Sequence, residues 1–521
     1  MLASNKMSTL FPLPSLPPSR SCPDRFPGIT YESKVALIDA LKNNHEQRHG
    51  YTNDRGFHNH TSHQLLAVFA MGAPPSLYDT ILRVQAERTL PAIKTSAVTI
   101  DRDNFYSYLG DISYYDGYLR YFYDVVLNDG AASALDQYVF SREANFQNDG
   151  SAQSPRQMLN RLFGRLYHPM IYVGCGLEFG IPGLVAEGLA QISTHPPDAP
   201  RLVSASDFDF QDTFNDNSIA TLTHGLSFLA EGRSRRVTNT HAVKGENVGV
   251  HAFSVLARIM QDDRFISLAL KSDERGRPDS LLDDKQVPAS LRELICEYAM
   301  DWSVDGRNAE QVQAKIEELS WMATLIYGIG GWGGRSTSPG GNLNADFFLM
   351  HQVTSALFLP AFVAYLPPSS IAVFLRTYFL TCLTWWVARG RPALPIREFY
   401  SSVTATPALP GPDNVKGGTS TLSPENPTPN AWLSITQTAI MHSDHHLCKV
   451  QRALAHFATR YGERPAGHFT QLLDVMDMNL DGIELLDGTL FVRVASLTAE
   501  RVGWLRDGQE SDFWDFHGFF T

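Results

Sequence analysis

Apolar residues return every three to four positions along most of this chain. Ser76 to Glu87, Asn104 to Val126, Arg156 to Leu166, Val248 to Gln261, Ala309 to Tyr327, Ala345 to Tyr365 and Leu433 to Tyr461 all carry that spacing. Each such segment has an apolar stripe that must be buried against a neighbour, which predicts a mainly α fold. One run, "ELLDGTLFVRV" from Glu484 to Val494, alternates instead around a central Asp-Gly and predicts a minor β-hairpin near the C-terminus. With 521 residues a large core is affordable, and no internal repeat divides it. The expected organisation is a disordered Pro/Ser-rich tail over 1–28, then one large helical domain over 29–521 with a loop insertion at 406–430. Polar runs at Arg233 to Glu246 and Lys271 to Lys285 predict two more loops.

Charge and cysteine usage narrow the partners. A formal net charge of -12 argues against nucleic acid and against an anionic membrane surface, both of which need basic patches. Cys22, Cys175, Cys296, Cys382 and Cys448 are scattered, with no CxxC pair, which suits a reducing, cytoplasmic compartment. Phe347 to Leu366 and Ile371 to Ala388 are long enough to pass for membrane spans. The His351, Gln352, Pro360 and Arg376 inside them favour buried helices of a soluble protein. Oligomeric state is not readable.

Histidines carry the chemical signal. "FHNHTSHQLLA" places His58, His60 and His63 within six positions, just before an apolar run. "MHSDHHLCKVQRAL" holds His442, His445 and Lys449 at helical spacing, so they share one stripe, while His446 points about 100° away. Asp444 is placed to fix an imidazole by accepting its far N–H. His168 and His351 sit singly in apolar surroundings, where one histidine alone is ordinarily a hydrogen-bonded core residue. Four apolar helices each offering an inward histidine are how helical proteins build interior metal centres, and a buried metal and substrate cavity is therefore expected. Imidazole donors favour iron, with copper, manganese and zinc open. His442-Ser443-Asp444 is a poor ligand pair because residues two apart on a helix face nearly opposite ways. Neutral imidazoles around a divalent ion leave its charge uncompensated, so an anionic donor is expected nearby.

Together "FHNHTSHQLLAVFAMGA", "LYHPMIYVGCGLEFG", "HQVTSALFLPAFVAYL", "WWVARGRPALP", "DHHLCKVQRAL" and "FWDFHGFF" resemble the questin oxidase-like family of fungal polyketide pathways, from about residue 45 onward. The resemblance implies oxidative opening of an anthraquinone-type aromatic polyketide. It also implies one of two mechanisms: a Baeyer–Villiger-type oxidase, or a non-haem iron dioxygenase with four histidines and a carboxylated lysine. That lysine corresponds to Lys449, whose carbamate would supply the missing anion.

Ser62 is a candidate cap for a helix from His63 to Met71, with His60 projecting from the entering loop. The expected iron(II) ligands are His60, His168, His351, His445 and Lys449, with His63 lining the pocket or replacing His60 and His442 a weaker alternative. His63 and His58 are candidate acid–base groups toward phenolic hydroxyls, and Asp444 and Glu178 are candidate supports of the ligands. Arg389 either orients a substrate oxygen or pairs with an acidic neighbour. Polyketide and dioxygen are the expected partners, with NADPH an external reductant in the iron-free Baeyer–Villiger alternative. A zinc or manganese hydrolase and a non-catalytic polyketide-binding protein are the other readings. "GIGGWGGRS" lacks the Walker spacing and predicts a flexible loop near the pocket, and no GxGxxG opens a Rossmann unit. The aromatic-rich "FYSYLGDISYYDGYLRYFYDVV" reads as core.

Overall fold

The computed structural model describes residues 4–53, 56–92, 98–146, 156–197, 203, 208, 249–267, 289–338, 341–407, 410, 418, 420–423, 428–471 and 479–520. Most of the expected 406–430 insertion, and the expected loops at 233–246 and 271–285, lie outside these residues. Helices dominate, and among the described residues only isolated β-bridges occur, with no sheet. The helices used below are α1 (Ser4–Leu10), α2 (Tyr31–Gln47), α3 (Thr61–Ala70), α4 (Ser76–Ala86), α5 (Tyr115–Asn128), α6 (Gly164–Phe179) and α7 (Pro182–Thr194). They continue with α8 (Ala309–Thr324), α9 (Phe347–Ala356), α10 (Pro368–Ala388), α11 (Ala431–Met441), α12 (His445–Tyr461) and α13 (Leu490–Val502).

At the centre, α3, α6, α9 and α12 pack on one another, with α7 behind α6 and α13 behind α12. The α6–α7 contact is close because Gly188 has no side chain there: an added Cβ would lie 2.6 Å from a Val173 methyl. Two caps fix where central helices begin. The Asp346 carboxylate accepts from the N–H groups of Phe348 and Leu349, at 3.0 and 2.9 Å, and starts α9. Asp444 does the same for α12, accepting from the N–H groups of His446 and Leu447 at 2.7 and 3.3 Å. The periodic segment from Leu433 to Tyr461 is therefore two helices, broken at His442 to Asp444.

Several expectations are corrected. The predicted hairpin is a 3₁₀ turn, Ile483–Leu485, followed by α13, because Leu490, Phe491 and Val494 are buried on one helical face. The predicted disordered tail is packed from residue 4. Leu10, Phe11 and Cys22 are buried, and backbone bonds run from Ser15 N–H to Phe179 O (2.9 Å) and from Phe26 N–H to Ala70 O (2.8 Å). "GIGGWGGRS" is helical as far as Gly333, in Leu325–Ile329 and Gly330–Gly333, and buried from Gly328 to Trp332, where a Cβ on Gly331 would sit 2.4 Å from Asn344 O. Helix α10 is long and apolar enough to cross a membrane, but 89% of its most apolar window is buried in the fold. Phe105, Tyr115, Tyr118, Phe122 and Tyr123 are buried core residues.

Candidate functional site

The four central helices bring six histidines to one place. His60 occupies the N-cap position of α3 with no side-chain capping bond, and the helix begins at Thr61, whose N–H bonds to Asn59 Oδ1 at 2.9 Å. Ser62 therefore does not cap this helix. Instead it accepts from Asn44 Nδ2 at 3.2 Å. His63 lies in the first turn of α3, His168 on α6, His351 on α9, and His445 and His446 open α12. Ring centroids are separated by 4.3 Å for His60–His445, 4.8 Å for His60–His446, 4.6 Å for His60–His168, 4.9 Å for His168–His351 and 5.2 Å for His351–His446.

Two triplets offer donor atoms that all lie within 4.8 Å of one another: His60 with His445 and His446, and His168 with His351 and His446. His446 belongs to both, although the sequence reading turned it away. The cause is the start of α12: with Asp444 as N-cap, His446 becomes the second residue of the helix and faces inward. His445 shares a triplet with His60 but not with His168 and His351. It is half-buried, and the Gln85 amide lies 3.3 Å from its Nδ1.

Tautomers are set by the backbone. The Nδ1–H groups of His168 and His351 donate to the carbonyls of Arg165 (2.5 Å) and Phe347 (2.7 Å), and a carbonyl can only accept. The neutral ring then carries its lone pair on Nε2, the state a metal ligand requires. Among the described residues, both Nε2 atoms are buried without a partner, as are His60 Nδ1, both ring nitrogens of His63 and of His446, and Lys449 Nζ. Arg165, Leu166 and Tyr167 all have positive φ, from 48° to 61°, and this left-handed turn presents the Arg165 carbonyl to His168.

Burial first, then neighbouring cationic groups, hold His60, His63, His168, His351 and His445 well below the usual imidazole range, with His446 down to about 4. Burial also pushes Lys449 down to about 8. A stranded buried polar group costs about 1–3 kcal/mol, so this many at one point are poorly explained by packing. Neutral imidazole lone pairs, buried surroundings and an unpartnered amine together fit a divalent transition metal.

The remaining candidates are placed as follows. Asp444 caps α12, and its carboxylate lies 3.3 Å from His446 Nδ1. Glu178 is buried against the Arg452 guanidinium, not against an imidazole. His58 stacks behind His168, with centroids 4.4 Å apart, and its Nε2 lies 2.6 Å from Nε2 of His195. His195 ends α7 as a lone histidine with no spacing signal to mark it. His442 is buried outside both triplets, with Nδ1 accepting from Asp444 N–H at 2.9 Å. Arg389 pairs with Asp346, through Nε and Nη2 to Oδ2 at 3.0 and 2.7 Å, so it holds the α9 cap. Among the described residues, the expected substrate-sized cavity is not found beside the histidines. The cleft there, between His63 and Lys449, has room for about one water.

The sequence model described as questin oxidase-like matches residues 57–454, which include every histidine above and Lys449. Among curated proteins, the chain is 28% identical over 347 residues to the Baeyer-Villiger monooxygenase AacuH of Aspergillus aculeatus, covering 65% of this chain and 64% of that one, just under two thirds of its length. It is 23% identical over 437 residues to a questin oxidase of Aspergillus terreus, covering 81% of each. It is 24% identical over 486 residues to the oxidoreductase AflY of Aspergillus parasiticus, covering 90% of this chain and 83% of that one. A match over most of the chain, with the convergent histidines inside it, places this protein in the questin oxidase-like family, and by class it is an oxidoreductase.

Proposed function

We propose that the chain binds iron(II) at the histidine cluster and uses dioxygen to cleave a ring of an anthraquinone-type polyketide. One observation carries the reading: the buried, unpartnered Nε2 atoms of His168 and His351, whose Nδ1–H groups are spoken for by backbone carbonyls. His60, His168, His351 and His446 are the imidazole donors, with His445 the neighbour able to replace one of them. Lys449, carboxylated, supplies the anionic oxygen that balances the metal charge. When bound, iron supplies the one-electron chemistry that dioxygen needs in order to react with a closed-shell aromatic. His63, neutral and with both ring nitrogens free, takes a phenolic proton from the substrate. His58 and His195 share a proton between their facing Nε2 atoms behind His168. Questin oxidase among the relatives supports the substrate class.

The second reading is a Baeyer–Villiger-type monooxygenase that inserts oxygen beside a quinone carbonyl with NADPH as reductant, and the names of several relatives favour it. It gives the convergent imidazoles and Lys449 no task. Metal analysis of the purified protein, then oxygen uptake with an anthraquinone substrate after chelation and after iron(II) restoration, separates the two. The iron reading expects near-stoichiometric metal and turnover that is lost and regained. NADPH-dependent turnover that survives chelation would overturn it.

A further inference from the structure

The closing motif "FWDFHGFF", Phe513 to Phe520, has no part in the chemistry above, yet it lies against the start of α9. Its backbone is pinned there. Asp515 N–H donates to Ala345 O at 3.0 Å, Phe347 N–H donates to Asp515 O at 2.8 Å, and Arg389 Nη2 donates to Phe516 O at 2.7 Å. The buried Asp515 carboxylate accepts from Arg501 and Ser338. The Phe516 ring is held far less. It is 37% exposed and stacks on the half-buried Phe347 ring, with centroids 4.8 Å apart and planes at 29°. Phe347 in turn meets His351 and His446 edge-on, each at 4.8 Å between centroids. One aromatic ring therefore links the metal-binding imidazoles to a side chain that stands partly in solvent. Trp514, 5% exposed and 6.3 Å from His446 between ring centroids, keeps its Nε1–H without a partner among the described residues.

We propose that Phe347 is the seat of the flat aromatic substrate, and that the Phe516 ring occupies that seat until the substrate displaces it. This rests on the polyketide reading above and adds where the substrate sits. With no substrate-sized cavity beside the imidazoles among the described residues, a polycyclic ring reaches them by replacing a side chain. Phe516 can yield: its backbone stays pinned, a partly exposed ring changes rotamer readily, and the incoming ring remakes the stack that is given up. A fused ring system also covers more of Phe347 than one phenyl ring does, which favours the exchange. A carbonyl or hydroxyl oxygen on that ring system gives Trp514 Nε1–H the acceptor it lacks.

The test titrates the full chain, as purified and with oxygen excluded, with a dihydroxyanthraquinone, and reads binding from the shift of the ligand's visible absorption band. Removing the competing ring and removing the seat should act in opposite directions. Phe516→Ala should tighten binding about 3- to 10-fold, because no binding energy is then spent on displacement. Phe347→Leu should weaken it about 10-fold, and Phe347→Tyr, which keeps the ring, should bind as the native chain does, separating loss of the seat from loss of the fold. Trp514→Phe, which keeps a ring but no donor, should weaken binding about 3-fold, and unchanged binding there overturns the donor role of Trp514. Weaker binding in Phe516→Ala overturns the displaced ring, and native affinity in Phe347→Leu overturns the seat, each leaving the polyketide reading standing. If neither the native chain nor Phe516→Ala binds the anthraquinone, the polyketide reading falls and the seat with it.

Discussion

Lys315 on α8 and Lys449 on α12 are equally buried, at 3% and 4% exposure, yet their surroundings are opposite. Lys315 Nζ donates to Glu318 Oε2 at 2.9 Å, while Oε1 of that carboxylate accepts from Trp302 Nε1 at 2.6 Å and from the N–H of Ala252 at 2.5 Å. That network is closed, and it ties the start of helix Ala252–Gln261 to α8. Lys449 instead stands, among the described residues, with no hydrogen-bond partner, beside imidazoles whose inward nitrogens are also unpartnered. A closed buried network is a structural device. An open one destabilises the empty protein until a ligand supplies the missing partners. The contrast therefore locates chemistry without reference to any relative.

The largest way to break this comparison is at the open site. His446→Ala should sharply reduce iron(II) content and oxygen-dependent turnover, whereas His442→Ala should leave metal content unchanged, since His442 lies outside both triplets. Metal analysis of the two variants decides it, and equal loss in both would refute the register assigned to α12. Stability gives the next contrast. Glu318→Ala strands a buried ammonium and should lower the unfolding free energy by about 3–5 kcal/mol in urea titrations. Lys449→Met in metal-free protein removes a stranded group and should raise it by about 1–3 kcal/mol. Losses of similar size in both variants would mean that Lys449 has a stabilising role like that of Lys315.

What the sequence disclosed follows physical lines. Helices with one apolar stripe were legible, because burial of that stripe is a local pattern. His168 and His351 were legible as polar residues inside apolar helices. The inward turn of His446 was not, because it depends on Asp444 starting a new helix within a segment whose periodicity runs through the break. The hairpin expected at Glu484 to Val494 failed for want of neighbouring strands. Asp487, whose carboxylate accepts from the Thr489 N–H at 2.9 Å, begins the turn into α13 instead. Proline-rich composition hid the anchoring of the N-terminal segment, which rests on a few buried side chains such as Phe11 against the His45 ring at 4.7 Å. The carbonyls that set the His168 and His351 tautomers are tertiary or backbone features with no residue-type signature. The choice between two roles for Arg389 likewise needed Asp346 in space.

The smallest effect sharpens the contrast between the two lysines through pH. Burial lowers Lys449 from 10.5 to about 8, so between these values the unfolded chain holds a proton that the folded chain has released. Unfolding free energy must then rise with pH across that window, by at most about 1.4 kcal/mol per pH unit, and stay level below it as far as this group is concerned. From about pH 8 to about pH 9 the metal-free native chain should gain about 1 kcal/mol relative to Lys449→Met, which lacks the titrating amine. Taking the difference between the two proteins cancels the cysteines and tyrosines that titrate in both. Parallel stability curves over that range would show that the amine is not held apart from solvent and partners, and the distinction from Lys315 would lose its physical basis.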